Sequence, residues 1–208
     1  ETAIYWRLDS WVCRSGSKMM VAIFKLKQSL NFFANVGFLA GIFSLSVTVS
    51  AHQHFGSVNI SSQKVANNIY MLQGEGGNIA VLLGDDGVLM VDDQFAELTD
   101  KIQKEIAKYS DKPIEYLLNT HWHFDHTGGN DNLGKQGVAI VAHDNVRARM
   151  KTGAEIKAFN AVIPPAPKTA LPVITYDEGM TLHWNDETIR VEHVSNAHTD
   201  GDLSLIHI

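Results

Sequence analysis

The chain has 208 residues, of which 45% are hydrophobic and 19% charged, a balance typical of one folded globular domain rather than a disordered chain. Its formal net charge is -6, and residues 52–202 hold 12 Lys/Arg against 21 Asp/Glu and therefore carry -9. This negative charge disfavours binding to nucleic-acid phosphates or anionic lipids, and it is compatible with a cation site.

The segment that begins at Met19 has the composition of a secretory signal peptide. Two lysines precede a largely apolar stretch at 30–49, and small residues at 49–51 form a cleavage pattern. Export to the periplasm or the medium is therefore predicted. The alternative is a retained membrane anchor, because about 20 apolar residues just span a bilayer. The cleavage pattern and the polar residues within the stretch favour removal.

This interpretation divides the chain into four parts. Residues 1–18 are expected to be untranslated upstream sequence, 19–51 the signal peptide, 52–202 the mature domain and 203–208 an artefactual tail. The single cysteine, Cys13, lies in the first part. The mature domain is therefore expected to have neither a disulfide nor a cysteine nucleophile.

Apolar periodicity predicts strands alternating with helices along the mature domain. The predicted strands are 68–72, 79–83, 88–91, 114–118, 138–141, 181–184 and 188–194, and the predicted helices are 97–110, a short one within 127–134 and 144–150, the last with Asp144 as its N-cap. Turn residues at 84–87 and 185–186 predict two β-hairpins. The proline-rich segment 161–172 is predicted to be a loop, either a lid or, preferably, a connector. These elements indicate an α/β fold with mixed sheets.

The residues from His121 to His126 read H-x-H-x-D-H and directly follow a predicted strand. Alternation along an extended segment directs His121 and His123 to the same side. A turn then brings Asp125 and His126 towards a second point. Imidazole nitrogens and carboxylate oxygens are preferred ligands of Zn²⁺, and an imidazole-rich set also accepts iron. The segment therefore predicts a metal site rather than a histidine-rich surface loop.

Three motifs resemble those of the metallo-β-lactamase superfamily. NTHWHFDHTGGN at 119–130 resembles the family signature, VLMVDD at 88–93 its strand ending in Asp, and SNAHTDGD at 195–202 its third motif. The resemblance implies a four-layer αβ/βα sandwich of two αβ units, with the metal site at one edge between the sheets. The second half is expected to be incomplete here, because the family's remaining ligands lie beyond the third motif.

Transferred position by position, the resemblance implies a first metal ion held by three imidazoles: His121, His123 and His198. Asp125 and His126 would begin a second metal site, and Asp92 would support the ligands without binding an ion. The implied cofactor is zinc, two ions per complete site, with iron less favoured. Two ions make a shared water acidic enough to supply hydroxide near neutral pH, and Asp125 would orient this nucleophile towards a carbonyl.

The predicted function is an exported zinc hydrolase that opens β-lactam rings, with a lactone, ester or thioester hydrolase of the glyoxalase-like branch as the alternative. His126 resembles one lactamase subclass, whereas others have Arg there, and a signal peptide disfavours a cytosolic thioesterase. A diiron flavoprotein is disfavoured because that branch has Glu at the position of His123. A nuclease is disfavoured by the acidic charge of the mature domain and by export. A persulfide-oxidising iron enzyme stays open. The expected partner is a small molecule, with neither nucleic acid nor membrane after cleavage, and no oligomeric state is predicted.

Other residues near these motifs are given smaller roles. Surface pairing or a strand-end polar role is predicted for His143, His183 and His193. Trp122 and Phe124 either line the substrate entrance or pack under the metal-binding segment. The glycine-rich turn 74–77 is read as a mobile hairpin tip in preference to an anion cradle.

Overall fold

A computed structural model describes residues 2–7, 10–15, 18–21, 55–156 and 161–207. The predicted signal peptide falls outside them except for its first three residues, so export stays a prediction. None of the described helices is long and apolar enough to cross a bilayer. The described strands are β1 (Thr2–Arg7), β2 (Ser10–Ser15), β3 (Lys18–Val21), β4 (Ser61–Lys64), β5 (Ile69–Gln73), β6 (Ile79–Leu82), β7 (Val88–Val91), β8 (Ile114–Leu118), β9 (Ala139–His143), β10 (Ala154–Ile156), β11 (Ala161–Ile163), β12 (Ile174–Tyr176), β13 (Gly179–Trp184), β14 (Glu187–His193) and β15 (Leu203–His207). The described α-helices are α1 (Thr99–Ile106), α2 (Phe124–Thr127), α3 (Asn130–Lys135) and α4 (Asp144–Thr152).

Seven strands form a mixed sheet in the order β12-β9-β8-β7-β6-β5-β4. Strands β7, β8, β9 and β12 run parallel, because helical crossovers connect them, whereas β4 to β7 are joined by turns and run antiparallel. The predicted hairpin at 84–87 is confirmed by the pairing of Leu82 with Leu89. The parallel half directs the carboxyl ends of β8 and β9 to one edge of the sheet.

A second sheet is antiparallel throughout and has the order β13-β14-β15-β1-β2-β3. The predicted hairpin at 185–186 is confirmed, since Trp184 pairs with Glu187 and both turn residues have positive φ, 54° and 61°. Strand β15 lies between β14 and β1. The assignment of 1–18 and 203–208 to non-native sequence is not tested by these pairings and stays a prediction.

The seven-stranded sheet has an apolar cluster on each face. On one face α1 and α3 cover the strands through Ile102, Ile106 and Leu133. On the other face Leu118 and Val141 share a cluster with residues of the second sheet such as Val191. Full burial of each such side chain contributes about 1.5–3 kcal/mol. A helix layer and two facing sheet layers therefore confirm the α/β fold class.

Three details differ from the sequence expectations. Helix α1 ends at Ile106 rather than Ser110, because the last turn tightens into a bond from Tyr109 N to the Ile106 carbonyl. The N-cap of α4 is not Asp144 but His143, whose Nδ1 accepts a hydrogen bond from Asn145 N at 3.1 Å. The predicted loop 161–172 begins with β11, which pairs with β10, and it holds a short 3-10 helix.

Candidate metal centre

The metal loop, residues 119–130, follows β8 at the carboxyl edge of the seven-stranded sheet. Its two ends are fixed to each other by buried amides. Asn119 Nδ2 donates to Asn130 Oδ1 at 3.0 Å, and Asn130 Nδ2 donates back to Asn119 Oδ1 at 2.9 Å. Asn130 also donates to the Ala170 carbonyl at 2.9 Å. The loop therefore starts and finishes at one anchored point, with its histidines between the anchors.

The structure brings together the three imidazoles predicted to hold a first ion. The ligand nitrogens of His121, His123 and His198 all lie within 4.8 Å of one another. His123 Nδ1 and His198 Nε2 are 3.0 Å apart. His121 and His123 are buried on the metal loop, whereas His198 is exposed on the loop between β14 and β15. The site is thus built from both sheets.

Asp92 controls the protonation of two of the histidines. One oxygen, Oδ1, accepts from Thr120 N at 2.7 Å, and the other, Oδ2, accepts from Thr120 Oγ1 at 2.6 Å and lies 2.8 Å from His126 Nδ1. Because the Thr120 hydroxyl donates to Asp92, it accepts from His121 Nδ1 at 3.0 Å. His121 then carries its proton on Nδ1 and presents Nε2 to a cation, and His126 directs its Nδ1 proton to Asp92.

Asp125 and His126 lie next to the three-histidine cluster. His126 Nε2 is 3.4 Å from Asp125 Oδ2, and the His126 and His121 ring centroids are 4.1 Å apart. Burial lowers the pKa of His126, but the carboxylates of Asp92 and Asp125 outweigh it and raise the pKa to about 10. The geometry places a carboxylate and an imidazole where a second ion would need them.

In the three-histidine cluster the pKa values of His121 and His123 are lowered, whereas that of His126 is raised. Burial and the adjacent imidazole of His198 lower the pKa of His123 to about 4. Burial and the neighbouring rings lower the pKa of His121 far below its ordinary range. Both rings are neutral at pH 7, so their lone pairs are available for a metal.

These donors fit a zinc ion. Tetrahedral zinc with Zn–N bonds of about 2.0–2.1 Å has its nitrogens about 3.4 Å apart. One pair in the cluster lies at 3.0 Å and the whole set within 4.8 Å, so small side-chain rotations close the ligand set. Neutral imidazoles are among the donors that zinc prefers.

Comparison with known families decides the relationship of the chain. A family model described as the metallo-beta-lactamase superfamily matches residues 72–205. The chain belongs to this superfamily. All the motifs quoted above lie within the match, so the resemblance read from them is confirmed.

Individual members of the superfamily are more distant. A probable metallo-hydrolase of Methanocaldococcus jannaschii is 25% identical over 138 residues, 64% of this chain and 64% of that protein. A probable hydroxyacylglutathione hydrolase of Schizosaccharomyces pombe is 35% identical over 68 residues, 31% of this chain and 27% of that one. The structure of a subclass B3 metallo-beta-lactamase of Bradyrhizobium japonicum matches with a TM-score of 0.62 at 24% identity, over 74% of this chain and 59% of that chain. The chain thus spans less than two thirds of the length of these relatives.

The glycine-rich turn 74–77 packs closely against the metal loop and does not project away from it as a hairpin tip would. A Cβ atom on Gly77 would lie 2.2 Å from His126 Cε1, and one on Gly76 would lie 3.0 Å from Asp125 Cβ. Gln94 Nε2 also donates to the Gly77 carbonyl. The turn packs directly on the two predicted second-site residues, and glycine is required for this close approach.

The third motif of the superfamily holds a residue that the sequence reading passed over. Asp202 Oδ2 accepts from the backbone N atoms of His198 and Thr199, the latter at 2.9 Å, and its Oδ1 accepts from Thr199 Oγ1 at 2.6 Å. Asp202 thereby folds the turn that presents His198. The only signal in the sequence is an acid four residues after the histidine, which is too common to be informative.

The residues given smaller roles have mixed outcomes. Trp122 is half-buried against an apolar cluster, whereas the side chain of Phe124 is 42% exposed, and both line a cavity of about 180 Å³ beside the metal loop. His183 is exposed and lies 3.3 Å from Thr188 Oγ1, as expected for surface pairing. His193 is different: its ring stacks on the buried His143 at 3.8 Å. Surface pairing is therefore wrong for His193.

Proposed function

We propose that the protein is an exported zinc-dependent hydrolase that opens β-lactam rings. The observation that carries this proposal is the convergence of three imidazoles, from two sheets, on one point beside a carboxylate. Membership of the superfamily supports the hydrolase, and the structural likeness to subclass B3 enzymes supports the fold on which a β-lactamase would be built.

Zinc, when bound, supplies a Lewis acid that polarises a carbonyl and makes a bound water acidic. The chain's own residues prepare the site for it. His121 and His123 are neutral at pH 7 because their pKa values are lowered, so they bind a cation without first losing a proton. The Asp92–Thr120 pair holds the correct nitrogen of His121 towards the cluster.

Asp125 is the residue suited to orient the attacking water. Burial raises the pKa of its carboxyl, but the hydrogen bond with His126 outweighs this, and the pKa lies below the ordinary value. Asp125 is therefore a carboxylate at neutral pH, and its side chain is 33% exposed, open to a water molecule. An ionised acceptor fixes the direction of that water by accepting a hydrogen bond from it. No covalent nucleophile is needed.

A second candidate is the hydrolysis of a thioester, ester or lactone. The local likeness to a probable hydroxyacylglutathione hydrolase favours it. All of these substrates react at a carbonyl carbon, so the same ligand set serves each of them. The shape of the substrate pocket decides between them.

The test is a substrate panel on the purified protein: a chromogenic cephalosporin, a lactone and a thioester. We expect turnover of the cephalosporin, and loss of both turnover and bound zinc in His123→Ala. The matched control is His183→Ala, which removes an exposed histidine of β13. Unchanged turnover in His123→Ala contradicts the metal assignment. Rapid lactone or thioester cleavage without cephalosporin turnover contradicts the β-lactamase and supports the second candidate.

Export is part of the proposal and rests on the predicted signal at 19–51. Sequencing the N-terminus of the protein recovered from the periplasm should give a mature chain that begins near His52. Recovery from the cytoplasm with that segment intact argues against export.

A further inference from the structure

Asp200 lies two residues after His198, and its carboxylate is hydrogen-bonded at both oxygens although the side chain is partly exposed. Its side chain is 41% exposed, yet both carboxylate oxygens are bonded. Oδ1 accepts from Trp122 Nε1 at 3.2 Å, and Oδ2 accepts from Arg149 Nε at 3.0 Å and Nη2 at 2.7 Å. The Asp200 carbonyl accepts from Asn145 Nδ2 at 2.7 Å. Each of these donors lies at least 50 residues away along the chain.

These contacts join the two segments that supply the metal ligands. Trp122 lies on the metal loop between His121 and His123, and Asp200 lies on the loop that carries His198. Arg149 and Asn145 are on α4, which packs beside the metal loop against Trp122. The carboxylate therefore connects the ligand segment of one sheet to that of the other, with a helix as the support.

We propose that Asp200 is a positioning residue that holds His198 against His121 and His123 through Trp122 and Arg149. His198 is exposed, and its described ring contacts are with His121 and His123, the two ligands that it must meet. Two guanidinium nitrogens of Arg149 donate to one carboxylate oxygen while Trp122 donates to the other, and together these three bonds restrict the carboxylate more than a single ion pair does. Holding the third ligand close to its binding position reduces the ordering that metal capture requires. The inference rests on the proposed metal site and not on the choice of substrate.

The alternative is an ordinary surface ion pair without effect on the site. Exposed pairs contribute little to stability, and removing one leaves a distant metal site unchanged. Residues that orient metal ligands from outside the coordination sphere behave differently, because their loss typically weakens metal binding about 10–100-fold. Metal affinity therefore separates the two roles.

The experiment measures the zinc dissociation constant of the purified protein by competition with a chromophoric chelator. We expect Asp200→Asn to weaken zinc binding about 10–100-fold. Trp122→Phe, which removes the indole N–H together with the ring that carries it, should weaken it less, and this second substitution should weaken zinc binding less in Asp200→Asn than in the parent. The matched control is Glu192→Gln, which removes one exposed acid of β14 paired with Arg190 and should stay within about twofold.

A second measurement needs no metal. In the zinc-free protein, backbone amides of residues 195–202 should exchange with deuterium faster in Asp200→Asn than in the parent or in Glu192→Gln. If Asp200→Asn does not fold, Arg149→Lys keeps the charge, removes the fork and should still weaken zinc binding.

The inference is overturned if Asp200→Asn has the zinc affinity and the amide exchange of the parent. If Asp200→Asn does not fold, it is overturned when Arg149→Lys has the zinc affinity of the parent. A parent protein that binds no zinc overturns the metal site itself, which is a separate result.

Discussion

At the scale of single residues, Asp92 supports the candidate site from outside the three-histidine cluster. Asp92 directly follows β7 and has a φ of 60°, a left-handed conformation that costs free energy for a residue other than glycine. That conformation turns the carboxylate to Thr120 and His126. Its neighbour Asp93 is equally buried, but its carboxylate accepts from Gly129 N at 2.9 Å, and its hydrogen bond with His126 joins backbone atoms only, Asp93 N to the His126 carbonyl at 3.1 Å. Two adjacent acids therefore have separable roles.

We predict that Asp92→Asn weakens metal binding about 10–100-fold. The amide Nδ2 of the new asparagine would replace Oδ2 and face two donors, the Thr120 hydroxyl and His126 Nδ1. The imidazoles of His121 and His126 would therefore lose their orientation. Asp93→Asn should leave metal binding unchanged. Burial raises the pKa of Asp93 well above its ordinary value, so a neutral amide suits that place, and its Oδ1 still accepts from Gly129 N. Zinc content and affinity of both variants check this, and equal losses would contradict the separate roles.

The sequence predicted the candidate ligands, but of the residues that hold them it predicted only Asp92. His121, His123, Asp125 and His126 form a local pattern, and His198 lies in a motif of its own. The roles of Thr120 and Asp202 were missed because hydroxyls and acids are common, and only the fold shows what they bind. The lone acid assigned a supporting role, Asp92, was found through the family resemblance and not from spacing.

At the scale of elements, two predicted hairpins prove to be bound to each other. Asn185, in the turn between β13 and β14, donates from Nδ2 to the Gly87 carbonyl at 2.8 Å, and its Oδ1 accepts from Asp86 N at 2.9 Å. Asp86 Oδ2 accepts in return from Asn185 N at 2.8 Å. Each hairpin was predicted from its own turn residues. Their contact was not, because about 100 residues separate them and nothing local marks it.

This contact gives a prediction for stability. Asn185→Gly keeps the positive φ but removes two side-chain hydrogen bonds at a buried position, so the free energy of unfolding should fall by about 1–3 kcal/mol. Asp186→Gly is the matched control, because it lies in the same turn at a φ of 61° and should change stability by less than about 0.5 kcal/mol. Urea unfolding of both variants measures the difference. Equal stabilities would show that the hairpins do not support each other.

The element boundaries were harder to predict than the elements. Strand β11 lies in the segment predicted to be a loop because prolines dominate the residues that follow Ile163, and β10 was not predicted at all. The N-cap of α4 is His143, one residue before the predicted Asp144, because a histidine ring takes the place of the usual carboxylate or hydroxyl acceptor. Both errors come from local preferences that a packed neighbour outweighs.

At the scale of the whole molecule, the two sheets share one apolar core and meet again at the metal site. His121 and His123 belong to the edge of one sheet and His198 to the other, so an ion would fasten the sheets at an edge that the core does not reach. A bound ion should therefore raise the stability of the whole fold and not only of the metal loop.

We predict that zinc raises the free energy of unfolding by about 2.7 kcal/mol when its free concentration is 100 times the dissociation constant, relative to protein in excess chelator. The gain depends on how much better the folded chain binds than the unfolded one. The unfolded chain keeps the H-x-H-x-D-H ligands close together in sequence, but it loses His198, which lies 72 residues beyond His126.

His198→Ala should leave stability in chelator within about 0.5 kcal/mol of the parent, since the His198 ring is exposed. It should also remove most of the zinc-dependent gain, because folded and unfolded chains would then offer nearly the same ligands. Denaturant titrations with zinc and with chelator measure both quantities, and a full zinc gain in His198→Ala would mean that the ion does not join the two sheets.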